Sequence, residues 1–314
     1  MNIKKISLLI ISVLFVLVIL GPRPSQEYTV SLPQLPADLD NYLNEKENKF
    51  DDLKPETKKQ IIWASPAKAK TKLSVVYVHG FSGTHKITAP TFQNIAKQLN
   101  ANLYLARLSG HGRTPDAMAE PNLQDWINDT AEAIAIGKAI GEKLILISLS
   151  TGTTLVSMIL AEQPNVADVL INMAPNFNPA DPAAQLIVGP WGASLPSIVI
   201  GTYNKGKPKN ELHDKFSTQN YHTDSLVTMM LAVQASNEGD YSKVQTPTLW
   251  LYSEKDKTVS IDAMKEIIAR WGSPMNEVLT VDKADGHVVT GEIMSPASTK
   301  DVEQMVISFV DKAL

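Results

Sequence analysis

The chain reads as an α/β protein, with a mostly parallel central sheet, helices on both faces and one inserted segment. Three observations predict this. Short apolar or β-branched runs alternate with longer stretches of helical spacing from Leu73 to the C-terminus. One such run, Leu144-Ile145-Leu146-Ile147, passes through Ser148-Leu149-Ser150-Thr151-Gly152 into a helix-like stretch, Thr153 to Ala161, with room for only a sharp turn. Finally, 314 residues, 44% hydrophobic and 20% charged, suffice for one large α/β domain or two smaller ones.

The elements follow in order. Asn2-Ile3-Lys4-Lys5 is a short basic region, and Ile6 to Leu20 is almost wholly apolar. Its 15 residues fit the core of an export signal better than a full membrane span, which needs roughly 20. Gly21-Pro22-Arg23-Pro24 offers no Ala-x-Ala cleavage site. Residues 1–24 are therefore expected to act as an uncleaved signal or membrane anchor, with Lys4 and Lys5 cytoplasmic and the body of the protein outside. A cleaved signal, giving a periplasmic or secreted protein, is the alternative.

Residues 25–70 read as a linker and lead-in. Pro22, Pro24, Pro33 and Pro36 suggest extended chain, Asp38 to Phe50 a short helix, and Trp63 to Lys70 an early edge strand. The main domain spans 71–314. Leu73–Val78, Asn102–Ala106, Lys143–Leu149, Val166–Met173, Thr248–Tyr252 and Glu277–Val281 are its strands. Thr91–Leu99, Leu123–Ile140, Ile261–Ala269 and Lys300–Leu314 are helices. The stretch of about 176–243 is longer than one crossover helix requires. Its prolines and its apolar patches Leu186-Ile187-Val188 and Ile198-Val199-Ile200 suggest a lid, with a surface elaboration of no role as the alternative.

Composition narrows the function. A net charge of −4 without a Lys/Arg stripe argues against a nucleic-acid partner. The absence of cysteine excludes disulfides, thiolate zinc sites, iron–sulfur clusters and a lipidated N-terminal cysteine. No glycine-rich loop has Walker or dinucleotide spacing, and no His/carboxylate cluster has zinc-ligand spacing, so neither cofactor nor metal is expected.

Serine chemistry needs neither. A serine at a strand-to-helix bend requires small residues two before and two after it. Around Ser150 those residues are Ser148, where glycine is usual, and Gly152. Ser148 is the rival hydroxyl, but the residue two before it is Leu146, too large for a tight bend.

Four features occur in sequence: Val78-His79-Gly80-Phe81 after a strand, Leu108-Ser109-Gly110-His111-Gly112 after the next, the bend at Ser150, and an acid followed by a histidine. As an ordered set they resemble the α/β-hydrolase superfamily, in its esterase, monoacylglycerol lipase and lysophospholipase branch, over roughly residues 70–314. The resemblance implies the α/β-hydrolase fold, with Ser150 as nucleophile and His287, in Asp285-Gly286-His287, as its base. It implies Asp256, after Leu249-Trp250-Leu251-Tyr252, as the acid orienting His287, with Glu254 as runner-up. The order Ser150, Asp256, His287 is that of the superfamily. The backbone N–H groups of Phe81 and Thr151 would form the oxyanion hole, His79 would orient the oxyanion loop, and His111 would hold backbone. His85, His213 and His222 fall in loops or the insertion.

The implied activity is hydrolysis of a small-molecule or lipid carboxylic ester. Two alternatives stay open. One is a serine aminopeptidase, which would need Glu211 or Asp214 to capture an ammonium among Lys205, Lys207, Lys209 and Lys215. The other is a non-catalytic tethered binding module.

Overall fold

The computed structural model describes residues 19–25 and 27–314. The apolar run expected to be a signal or anchor lies, through residue 18, outside the described residues. Among the described residues no helix is long and apolar enough to cross a membrane.

Among the described residues seven strands form one sheet: β1 (Gln60–Ile62), β2 (Thr71–Val78), β3 (Asn102–Leu105), β4 (Gly141–Leu149), β5 (Val169–Met173), β6 (Thr248–Tyr252) and β7 (Asn276–Thr280), in the order β1-β3-β2-β4-β5-β6-β7. Only β1 is antiparallel to its neighbour. Strands in a parallel sheet are buried on both faces, so they read as unbroken apolar runs. The two faces still alternate: Val76 and Val78 of β2 enter one core, Val75 and Tyr77 the other.

Among the described residues nine helices accompany the sheet: α1 (Leu39–Glu47), α2 (Thr91–Gln98), α3 (Leu123–Ile140), α4 (Thr151–Glu162), α5 (Leu195–Val199), α6 (Glu211–Phe216), α7 (Ser225–Glu238), α8 (Ile261–Ala269) and α9 (Thr299–Ala313). Phe92 and Ile95 of α2 and Val302, Val306 and Phe309 of α9 fill one core. Side chains of α1, α3, α4, α7 and α8 fill the other. A reciprocal cap starts α3: Asn122 accepts from the Asp125 N–H, and Asp125 accepts from the Asn122 N–H. This is the α/β-hydrolase fold expected from the sequence.

Three local readings need correction. The edge strand is Gln60–Ile62, and residues 63–70, expected to be that strand, form turns instead. The Asn102 side chain accepts the Ala64 N–H, the Trp63 indole donates to Asp40, and Pro66 follows, so the ladder ends at Ile62. The proline-containing lead-in is a strap rather than a free linker. Tyr28, Val30, Leu32 and Leu35 pack on the core, and the Thr29 N–H donates to Gln124 at 2.7 Å. The segment 176–243 also divides. Its last helix, α7, packs on α4 with Met230, Ala232 and Val233 fully buried, so it is scaffold.

Candidate active site

At the end of β4 the backbone turns through Ser150 with φ 54° and ψ −121°, a conformation costly for a side chain and kept only where the surroundings impose it. They do. The Ser150 N–H donates to the Met173 carbonyl at 2.9 Å, and its own carbonyl accepts from Thr153 and Thr154. A Cβ on Gly152 would lie 2.4 Å from the Val78 carbonyl oxygen and 2.7 Å from that of His79. Gly152→Ala should therefore lower stability by about 1–3 kcal/mol, read as a drop in melting temperature together with lost ester turnover. Ser148 is fully buried, and its hydroxyl bonds Thr153 Oγ1 and Asn172 Oδ1, which fixes it in the scaffold.

The structure brings Ser150, His287 and Asp256 together from the ends of three different strands. His287 Nε2 is 2.8 Å from Ser150 Oγ, and His287 Nδ1 is 2.7 Å from Asp256 Oδ2. Asp256 accepts two further hydrogen bonds, from the N–H groups of Thr258 and Val259. Burial pushes its carboxyl pKa up, but the His287 hydrogen bond and charge and these N–H donors outweigh it and leave the pKa below the ordinary value. A carboxylate held ionised makes Nδ1 the protonated nitrogen and leaves Nε2 to accept from the serine. Glu254 instead accepts from the Tyr252 hydroxyl at 2.7 Å.

The N–H of Thr151 is the first of α4, where no intrahelical acceptor exists and the helix dipole favours negative charge. Phe81 follows Gly80, on which a Cβ would lie 2.9 Å from that of Ser150, so this loop passes directly beside the serine. The His79 Nδ1–H donates to the Gly80 carbonyl, and Nε2 accepts from the Leu108 N–H. Together these features give Ser150 Oγ a proton acceptor and set the Gly80–Phe81 loop and the start of α4 beside it.

Sequence reasoning missed what holds the second loop. Arg107 is buried and pairs in two-pronged fashion with buried Glu47 of α1, at 2.8 and 2.6 Å, while donating to the His111 carbonyl. Asp129 of α3 accepts the Ser109 N–H, and buried Lys59 pairs with Glu132 at 2.7 Å. The available signal was Asp129 and Glu132 interrupting an otherwise apolar helix face.

Burial lowers the pKa of His85 and His111 from 6.5 to about 4, and that of His79 well below its usual value. The folded protein excludes protons that the unfolded chain binds, so stability is complete above pH 6.5 and is lost as pH falls towards 4. For His85 and His111 the full shift corresponds to about 3 kcal/mol each. Melting temperature measured across that range should fall steadily, and a flat profile would contradict neutral buried imidazoles.

A cavity of about 470 Å³ opens over Ser150 and His287. Phe81, Ile87, Tyr221, Leu226, Met229 and Val288 give it apolar walls. Among the described residues no Asp or Glu lines it. Of the other histidines, His213 reaches the cavity, whereas His222 Nδ1 accepts the Asp224 N–H. Among the described residues no cluster of His, Asp and Glu could hold a metal ion.

The sequence model of the family described as serine aminopeptidase, S33, matches residues 69–293. A thermostable monoacylglycerol lipase from Bacillus sp. (strain H-257) is 26% identical over 190 residues, covering 60% of this chain and 72% of that protein. A solved structure described with the metagenome-derived lipolytic enzymes LipS and LipT superposes with a TM-score of 0.67 at 18% identity, covering 83% of this chain and 99% of its own. A soluble variant of monoglyceride lipase from Saccharomyces cerevisiae, in complex with a substrate analogue, gives 0.61 at 14% identity, covering 93% and 99%. At such identities the structural likeness speaks to the fold.

Proposed function

The chain belongs to the serine aminopeptidase family of the α/β-hydrolases, and on that premise we propose that it is a serine carboxylic-ester hydrolase acting on lipid acyl esters of the monoacylglycerol kind. The observation that carries this reading is the unbroken hydrogen-bond path from Ser150 through His287 to Asp256. His287 Nε2 takes the hydroxyl proton as Ser150 Oγ attacks the ester carbonyl. The N–H groups of Phe81 and Thr151 hold the oxyanion. Collapse breaks the ester C–O bond, and the imidazolium gives its proton to the departing alcohol. Water then attacks the acyl-serine with His287 again as base, releasing the fatty acid and restoring the serine. Asp256 fixes the imidazole and stabilises its charged form.

The apolar cavity walls support an acyl chain as the group recognised. The aminopeptidase alternative lacks its key element, since a substrate ammonium would meet no carboxylate in that lining. A series of p-nitrophenyl and glycerol esters of increasing chain length, run beside an aminoacyl arylamide, tests the choice. Ester cleavage dominating supports the proposal, and arylamide cleavage outpacing it would replace the proposal with the peptidase. Failure of a fluorophosphonate probe to label the native protein would favour the binding module.

The apolar run Ile6–Leu20 supports a membrane-tethered, extracytoplasmic placement. Recovery in the membrane fraction after alkaline washing is the expected result, and recovery as a free periplasmic or secreted protein would mean that the leader is removed.

A further inference from the structure

From Pro182 to Asn204 the insertion carries no charged residue, yet much of it is surface. Ile198 and Val199 are 73% and 76% exposed, and Leu186, Trp191 and Ile200 are exposed beside them in sequence. Contiguous exposed apolar groups of this kind mark an interaction surface.

The occupant is indicated by where the chain enters. The Trp191 N–H donates to the Pro22 carbonyl at 2.7 Å. Gly21 is buried so tightly beneath the Trp191 ring that a Cβ there would lie 2.0 Å from the indole nitrogen. The residues that follow the apolar run Ile6–Leu20 are thus pinned to the insertion, and Ile19 and Leu20, just before that point, are exposed. Trp191 itself has φ 61°, a left-handed conformation uncommon for a bulky residue. The uncharged stretch ends at exposed Lys205 and Lys207, which suit anionic lipid headgroups. Exposed tryptophan and tyrosine, here Trp191 and Tyr203, suit the boundary between headgroups and acyl chains.

We propose that the Leu186–Ile200 face lies in the headgroup–acyl boundary of the bilayer that the N-terminal segment enters. The insertion then draws ester lipids from the membrane itself, and the leader sets its orientation as well as its address. This inference rests on the tethered placement put forward above.

The test uses the full chain in vesicles of equal phosphatidylcholine and phosphatidylglycerol with brominated acyl chains. The emission lost in Trp191→Phe identifies the Trp191 signal, and the expected result is strong quenching of that signal by the bromolipid. The double variant Ile198→Ser, Val199→Ser should lower turnover of a long-chain monoacylglycerol carried in vesicles by about tenfold, while a water-soluble butyrate ester is cleaved at the wild-type rate. A chain bound to vesicles whose Trp191 emission is unquenched overturns this inference alone. A chain that stays in the supernatant overturns the tether and this inference together. Lipid-independent dimers abolished by the double variant would make the face a self-association surface and also overturn it.

Discussion

Ser150→Ala should leave a folded protein whose ester turnover is lower by about a millionfold. The hydroxyl is the group that would become covalently bound to the acyl chain, and the neighbouring Ser148 cannot take its place. Ser148 is committed to Thr153 and Asn172 inside the scaffold. The fold should survive because the hydrogen bonds that shape the bend use backbone atoms of Ser150, while its Oγ is engaged by His287. What remains after the substitution is the oxyanion donors and the cavity, worth roughly a thousandfold or more over water. The measurement is kcat on a chromogenic ester, with melting temperature as the check on folding. A variant that melts like the wild type and keeps even a hundredth of its rate would remove Ser150 from the chemistry.

Asp256→Asn should cost about four orders of magnitude in kcat. The buried carboxylate accepts from His287 Nδ1 and from two backbone N–H groups. An amide presents one oxygen and one NH₂ there. With the oxygen held by the backbone donors, the NH₂ faces Nδ1 and selects the tautomer whose proton sits on Nε2. That imidazole cannot accept from Ser150. It also loses the anion that stabilises the imidazolium in the transition state. Glu254→Gln is the companion measurement and should change the rate by no more than about twofold, because Glu254 reaches only Tyr252. A reversal of these two results would hand the orienting role to Glu254.

The legible parts of this chain are those whose physics is local or ordered along the sequence. A serine between Ser148 and Gly152, directly after an apolar strand, leaves few backbone options, and the bend forms there. Asp256 and His287 could be picked out because the resemblance places an acid and a histidine after these two strands, and the parallel sheet brings the ends of its strands to one edge. Less legible were features decided by a partner far away. The edge strand moved to Gln60–Ile62 because the Asn102 side chain, rather than local propensity, determines where the ladder stops. The second half of the insertion became scaffold because Leu226–Val233 found an apolar seat on α4. No local pattern announces that Glu47 and Arg107, sixty positions apart, meet in the interior.

That buried pair bears on how the protein can be trimmed. Glu47 stands outside the stretch shared with the family, residues 69–293, yet it neutralises a guanidinium lodged under the loop that steadies His79. Abandoning one member of such a pair in the interior costs about 3–5 kcal/mol, a large share of what keeps a domain folded. The functional unit therefore begins well upstream of its recognisable homology, and a soluble fragment cut at the family boundary would discard a cornerstone of its own active-site architecture.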